Sequence, residues 1–154
     1  MGWEEHINRK NRIKSVIEGY QYIKGIHSQF IANFKKSVNS NNEYNLTIKA
    51  EDETQVTLTV LDDVINISFG IVVDDRTVYG KLIFDRGTAE NQEHIFTLFF
   101  DDQGRIKHSP KTEQFIQSLH DKQVADFVLT LLLDRYINLP RFRAGEEASD
   151  GTWK

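Results

Sequence analysis

Between Asn11 and Val38 apolar residues return every three or four positions, at Ile13, Val16, Ile17, Tyr20, Ile23, Phe30, Ile31, Phe34 and Val38. That is the period of a helix with one apolar stripe, and it predicts a long N-terminal helix. Gly19 and Gly25 fall inside it, each costing about 1 kcal/mol relative to alanine, so a bend or break is expected near one of them. The polar run Asn39 to Asn42 ends the pattern.

From Tyr44 to His108 the period changes to two. Tyr44, Leu46, Ile48 and Ala50 alternate as one strand, and His94 to Phe100 reads as an aromatic-rich strand. The turn Asp101 to Gly104 then leads into a short strand, Arg105 to His108. Between these lie two hairpins whose registers can be tested against the pattern. A two-residue turn at Asp62-Asp63 sets Val60 opposite Ile65, Leu58 opposite Ile67 and Val56 opposite Phe69. A second turn at Asp74-Asp75 sets Ile71 opposite Val78, Phe69 opposite Gly80, Ile67 opposite Leu82 and Ile65 opposite Phe84. Apolar residues meet on one face in both cases, leaving Thr57, Thr59, Asn66, Ser68 and Lys81 on a wetter face.

Beyond the strands, Ser109 followed by Pro110 reads as a helix N-cap and first helical residue, with Phe115, Ile116 and Leu119 as the apolar stripe. Asp121 is the candidate cap of a further helix that turns Val124, Phe127, Val128, Leu131, Leu132 and Ile137 inward and stops at Pro140. The expected fold is α+β: a long N-terminal helix and C-terminal helices packed on one face of a five- or six-stranded antiparallel meander. A single domain is expected over residues 1–143. Residues 144–154, polar and rich in small side chains, are expected to be a flexible tail.

At 154 residues the chain can bury an ordinary core without staples. It contains no cysteine, which excludes disulfides, thiol catalysis and thiolate metal sites. The first ten residues hold no apolar signal-like core, and no run approaches the roughly 18 apolar residues of a membrane span, so a cytoplasmic location is expected. Glycine-rich phosphate loops, G-x-S-x-G, H-E-x-x-H and Glu-x-Lys or Asp-x-Lys pairs are all missing. His6, His27, His94, His108 and His120 never stand three or four apart, so no helix carries a local histidine pair for a metal. These readings lead to the expectation of a non-enzymatic protein with no cofactor and no catalytic metal. His27 falls on the stripe of the first helix, as a hydrogen-bonded boundary residue.

Charge refines the picture. Residues 1–43 hold seven Lys/Arg against four Asp/Glu, residues 44–108 six against twelve, and residues 109–154 six against seven, which together give the net −4. An acidic middle argues against a phosphate-backbone binder, and neither nucleic acid nor membrane is expected as a partner. The basic cluster Arg9, Lys10, Arg12 and Lys14, and the later Arg135, Arg141 and Arg143, read as solvated faces. In a meander alternate turns share an end, so Glu51, Asp52, Glu53, Asp74, Asp75, Asp101 and Asp102 are expected on one rim. Asp62, Asp63 and Asp85 fall on the other. Same-end turns two strand spacings apart lie about 10 Å from each other, too far to cage one ion.

Seven carboxylates on one rim, relieved by Arg76 and Arg105, would attract a cationic protein. The most concrete expectation is a small immunity or inhibitor protein that covers the basic cleft of a nuclease toxin domain. Two rival expectations are a secretion chaperone or adaptor presenting an apolar face around Phe96, Leu98 and Phe100, and a small-ligand binder or enzyme with a pocket between helix and sheet.

Overall fold

The computed structural model describes residues 2–52, 54–87, 90–110 and 123–142, the side chain of Glu51 excepted. Helix α1 (Gly2–Ser40) leads into a short 3-10 turn and six strands, β1 (Thr47–Asp52), β2 (Gln55–Val60), β3 (Asp63–Asp74), β4 (Thr77–Arg86), β5 (Glu93–Phe100) and β6 (Ile106–Lys107). Helix α2 (Gln123–Ile137) and a 3-10 turn at Pro140–Phe142 follow. The strands form one antiparallel sheet in sequential order β1 to β6, with both helices against it, as the periodicity predicts. Ser109 and Pro110 lie in a bend and turn after β6, and the rest of the helix anticipated through Leu119, the cap at Asp121 and the tail at 144–154 lie outside the described residues.

Helix α1 is one continuous element and breaks at neither glycine. Glu4 and Glu5 in its first turn suit the positive end of the helix dipole. At its other end Asn41 Nδ2 donates to the Ser37 carbonyl at 2.7 Å and satisfies one of the free terminal acceptors. Asp126, in the first turn of α2, accepts from Ser37 Oγ and Asn41 Nδ2, both at 3.1 Å, and joins the end of one helix to the start of the other. Gly19 has a contact reason to lack a side chain: a Cβ there would lie 3.0 Å from Val78, so the glycine lets α1 settle onto β4.

The core contains Ile23, Ile26, Phe30, Ile31, Phe34 and Val38 of α1 on the sheet face of Val56, Leu58, Ile65, Ile67, Leu82, Phe84, Leu98 and Phe100, with Val124, Val128, Leu132 and Tyr136 of α2. Each such side chain contributes roughly 1.5–3 kcal/mol on full burial. On α2 the predicted stripe is partly corrected. Phe127 and Ile137 are exposed, whereas Ala125, Leu129 and Tyr136 are buried, because the helix is rotated to place Tyr136 over the sheet end.

Both hairpin registers differ from the predicted ones by two residues, and the same side chains still face inward. The first turn is Leu61-Asp62, at φ 49° and 66°, so Val60 pairs with Asp63, Leu58 with Ile65 and Val56 with Ile67. The second is Asp75-Arg76, with Asp75 at φ 56°, so Ile71 pairs with Gly80, Phe69 with Leu82 and Ile67 with Phe84. An even slip preserves which face each residue occupies, so the apolar pattern alone does not distinguish these registers. Tertiary contacts do: as a strand residue Asp63 shares the inward face with Ile65 and meets Tyr136, while Arg12 of α1 donates to the Asp75 carbonyl at 3.0 Å.

Gly80 sits under the ring of Phe100, where a Cβ would come within 2.1 Å of the ring carbons. Gly80→Ala should therefore cost about 2 kcal/mol in urea unfolding, typical of overpacking a filled core. Adding Phe100→Leu to the same chain should recover part of that loss, since neighbouring substitutions in a core couple.

Candidate functional site

The meander places residues 51–52, 74–75 and 101–102 at one end of the sheet and residues 62–63 and 85 at the other. Glu53 lies outside the described residues, and Glu51 is a β1 residue at this rim. The remaining carboxylates of the rim divide into two kinds. Asp52 accepts from the Thr54 hydroxyl at 2.5 Å, the Thr54 amide at 2.7 Å and the Gln55 amide at 3.1 Å. Those bonds, the hydroxyl foremost, hold its carboxyl below the usual range. It is the capping acid of its own turn.

Asp101 is more deeply committed. It is 4% exposed and accepts from the amides of Gln103 and Arg105 at 2.9 and 3.0 Å, with the Arg105 guanidinium at 2.8 Å and Lys107 Nζ at 3.4 Å. Burial pushes this carboxyl up, but the amide and guanidinium bonds together outweigh it and leave the acid below its ordinary value. As a member of a partner-facing set Asp101 is thus displaced: its charge is spent inside the β5–β6 turn. By contrast Asp74, Asp75 and Asp102 are exposed at turn tips. Asp75 is 82% exposed, with the Arg12 guanidinium 3.9 Å from its carboxylate.

At the opposite end a polar cluster closes the sheet onto α2. Asp63 accepts a short hydrogen bond from the Tyr136 hydroxyl and ion-pairs with Arg86 at 3.1 Å and Arg141 at 3.2 Å, while Arg86 Nε reaches Glu93 at 3.0 Å. The tyrosine bond, with the two arginines, keeps the Asp63 carboxyl below its ordinary value. Burial and the facing carboxylate push the Tyr136 phenol up to about 12. A cleft of about 930 Å³ lined by Asp62, Arg86, Glu90, Glu93 and Arg141 opens beside the cluster. Its central groups are satisfied by one another, which makes this a clasp between the end of α2 and three strands. His94 and Asp85, 2.8 Å apart, add a further pair at the same end. Among the described residues no three histidine or acidic side chains are placed to hold a metal ion.

The third feature is one the sequence pattern misassigned. Ile13 and Ile17 belong by spacing to the core stripe, yet they are 58% and 54% exposed, as are Trp3 at 72% and Ile7 at 42%. The reason is that α1 meets the sheet from Val16 onward, while residues 2–14 are all exposed. In this free first third the helix side that continues the core direction is polar, carrying the Glu5–Arg9 pair at 3.7 Å and Arg12. At 1.5 Å per residue, the ten residues before Arg12 form an arm projecting about 15 Å beyond its contact with Asp75. Arg9 and Lys10 lie on it, and Arg12 and Lys14 at its base. The apolar face anticipated at Leu98 and Phe100 is buried in the core, with Phe96 partly buried against Phe84. His27 is likewise buried, stacked on Phe69 with centroids 4.3 Å apart. No family model, curated protein or solved structure matches the chain.

Two outcomes follow for stability. Asp101→Ala should cost about 3 kcal/mol at pH 7, the lower end for a broken buried pair because Arg105 is 42% exposed. Since the folded carboxyl lies below its unfolded value near 3.9, its stabilisation is complete above that pH and disappears as pH falls through the folded value. The gap between wild type and variant in urea should therefore narrow below about pH 4. Tyr136→Phe should cost about 1.5 kcal/mol at neutral pH by removing a hydrogen bond to a charged group. Because the phenol is raised from 10.0 to about 12, its contribution persists below the unfolded value and is lost between the two. Wild type should weaken across that interval in alkaline unfolding, and the phenylalanine variant should lack that step.

Proposed function

We propose that the protein is a non-enzymatic protein-binding module whose working end is the rim of the Asp74-Asp75 hairpin. The observation that supports this reading is that Asp74, Asp75 and Asp102 stand exposed on neighbouring same-end turns, while Asp101 is buried in its own turn and the exposed Asp52 is bonded to Thr54 and Gln55 of the β1–β2 turn. Exposed carboxylates at turn tips cost little stability, and they steer a cationic partner in. The most concrete form is an immunity or inhibitor protein whose acids take the place of substrate phosphates in a toxin domain's basic cleft.

A second reading, the adaptor, is favoured by a separate observation: the N-terminal half of α1 exposes Trp3, Ile7, Ile13 and Ile17. Grouped exposed apolar side chains characteristically mark a docking surface.

The two readings separate experimentally once the natural partner is recovered by co-purification. If the rim acts, Asp74→Asn, Asp75→Asn and Asp102→Asn together should slow association about tenfold at low salt and change dissociation less than twofold. Raising salt should mimic the effect, as the Debye length falls to about 10 Å at 0.1 M. Neutralising Asp62 and Glu90 at the opposite end should matter less. Unchanged association in the triple variant, with binding abolished by Ile13→Asp and Ile17→Asp, would replace the rim with the arm.

A further inference from the structure

The arm of α1 carries a seam with coiled-coil spacing. Trp3, Ile7, Lys10, Lys14 and Ile17 stand at intervals of four, three, four and three, which places them along one line of a helix. All five are exposed, and Lys10, Ile13, Lys14, Ile17 and Glu18 line a shallow apolar groove along it. The seam is apolar at both ends and cationic in its middle.

That arrangement discriminates among occupants. A second copy in parallel would set Lys10 on Lys10 and Lys14 on Lys14. Among antiparallel registers that set Ile7 on an isoleucine of the arm, pairing it with Ile13 brings Lys10 onto itself and pairing it with Ile17 brings Lys10 onto Lys14, while pairing Ile7 with itself leaves Ile17 uncovered. Like charges facing across a helix seam are repulsive, so the arm is poorly built to pair with itself. A lipid surface fits no better. Interfacial helices keep their bases on the face away from hydrocarbon, whereas Lys10 and Lys14 interrupt the apolar line itself. A partner helix with apolar residues at its ends and carboxylates one turn apart at its centre meets every position. Its acids pair the two ammonium groups while its apolar residues cover Trp3, Ile7 and Ile17.

We propose that the exposed side of the N-terminal half of α1 is a docking helix for an acidic, amphipathic helical segment of another protein, with Lys10 and Lys14 selecting the carboxylates and Trp3, Ile7 and Ile17 supplying the apolar grip. This rests on the adaptor reading and adds the chemistry of the partner to it. The site is distinct from the acidic tips of Asp74 and Asp75, and its partner is of opposite charge to the one those tips would draw.

The test uses the full chain and three designed amphipathic helical peptides, identical except for two central seam residues that are glutamate, lysine or leucine. Calorimetric titration should give the glutamate peptide at least tenfold tighter binding than the lysine peptide. Lys10→Glu with Lys14→Glu, both exposed positions where circular dichroism should report an intact fold, should reverse that order. Ile7→Asp with Ile17→Asp should remove binding of every peptide. The proposal is overturned if the glutamate and lysine peptides keep the same order in wild type and the charge-reversed chain. It is also overturned if sedimentation shows a wild-type dimer that these substitutions dissociate, or if phosphatidylserine vesicles bind the arm while no peptide does. Tightest binding of the leucine peptide to both chains, lost on Ile7→Asp with Ile17→Asp, would leave the adaptor reading standing and remove its acidic partner. Peptide binding unaffected by the isoleucine substitutions would remove both.

Discussion

The sheet's inward face, running from Val56 on β2 to Ile106 on β6, has to be covered, and among the described residues its cover comes from α1 beyond Val16 and from α2. A one-faced antiparallel sheet has no other way to withdraw that surface from water. The remaining architecture follows from that demand. It fixes where α1 touches down, between Val16 and Val38, and Gly19 permits the close approach to Val78. It also requires both ends of the sheet to be closed by polar groups, because the apolar face stops at the hairpin turns.

The two ends solve that problem with carboxylates in different ways. At the α2 end, Asp63 is drawn inward and neutralised by Arg86, Arg141 and the Tyr136 hydroxyl. At the other end Asp101 serves one turn and Asp52 another, each satisfied by nearby backbone amides. A carboxylate taken out of water must find such partners, and those that do so lose their reach toward other molecules. Asp74, Asp75 and Asp102 stay outward and outside these amide nets, and Asp75 lies beside the base of a helical arm that bears basic residues. Arg12 links the two features by holding the turn at Asp75. Acidic tips and a basic, partly apolar arm thus converge on one end of the molecule, which supplies the physical basis for reading that end as the interaction surface.

Much of this architecture was legible in the residues alone. Period 3.6 from Asn11 to Val38 and period two from Tyr44 to His108 are consequences of side-chain direction in helices and strands. They suffice to assign the long helix, the meander, the inward residues of its central strands and the sorting of turns between two ends, but not the inward face of α2, where Phe127 and Ile137 are exposed. Three things were not legible, for separate reasons. Hairpin register escaped because a slip of two residues leaves every side chain on its face; Tyr136 and the arginines around Asp63 select among the alternatives. The roles of Asp52 and Asp101 escaped because a carboxylate at a turn looks the same in sequence whether it faces solvent or its own amides. The arm escaped because Ile13 and Ile17 continue the spacing of the core stripe, and only the position of the Asp75-Arg76 turn along α1 decides where the sheet ends beneath the helix. Local periodicity determined which face each residue belongs to; long-range contact alone decided how far each face extends and which charges remain free at its edge.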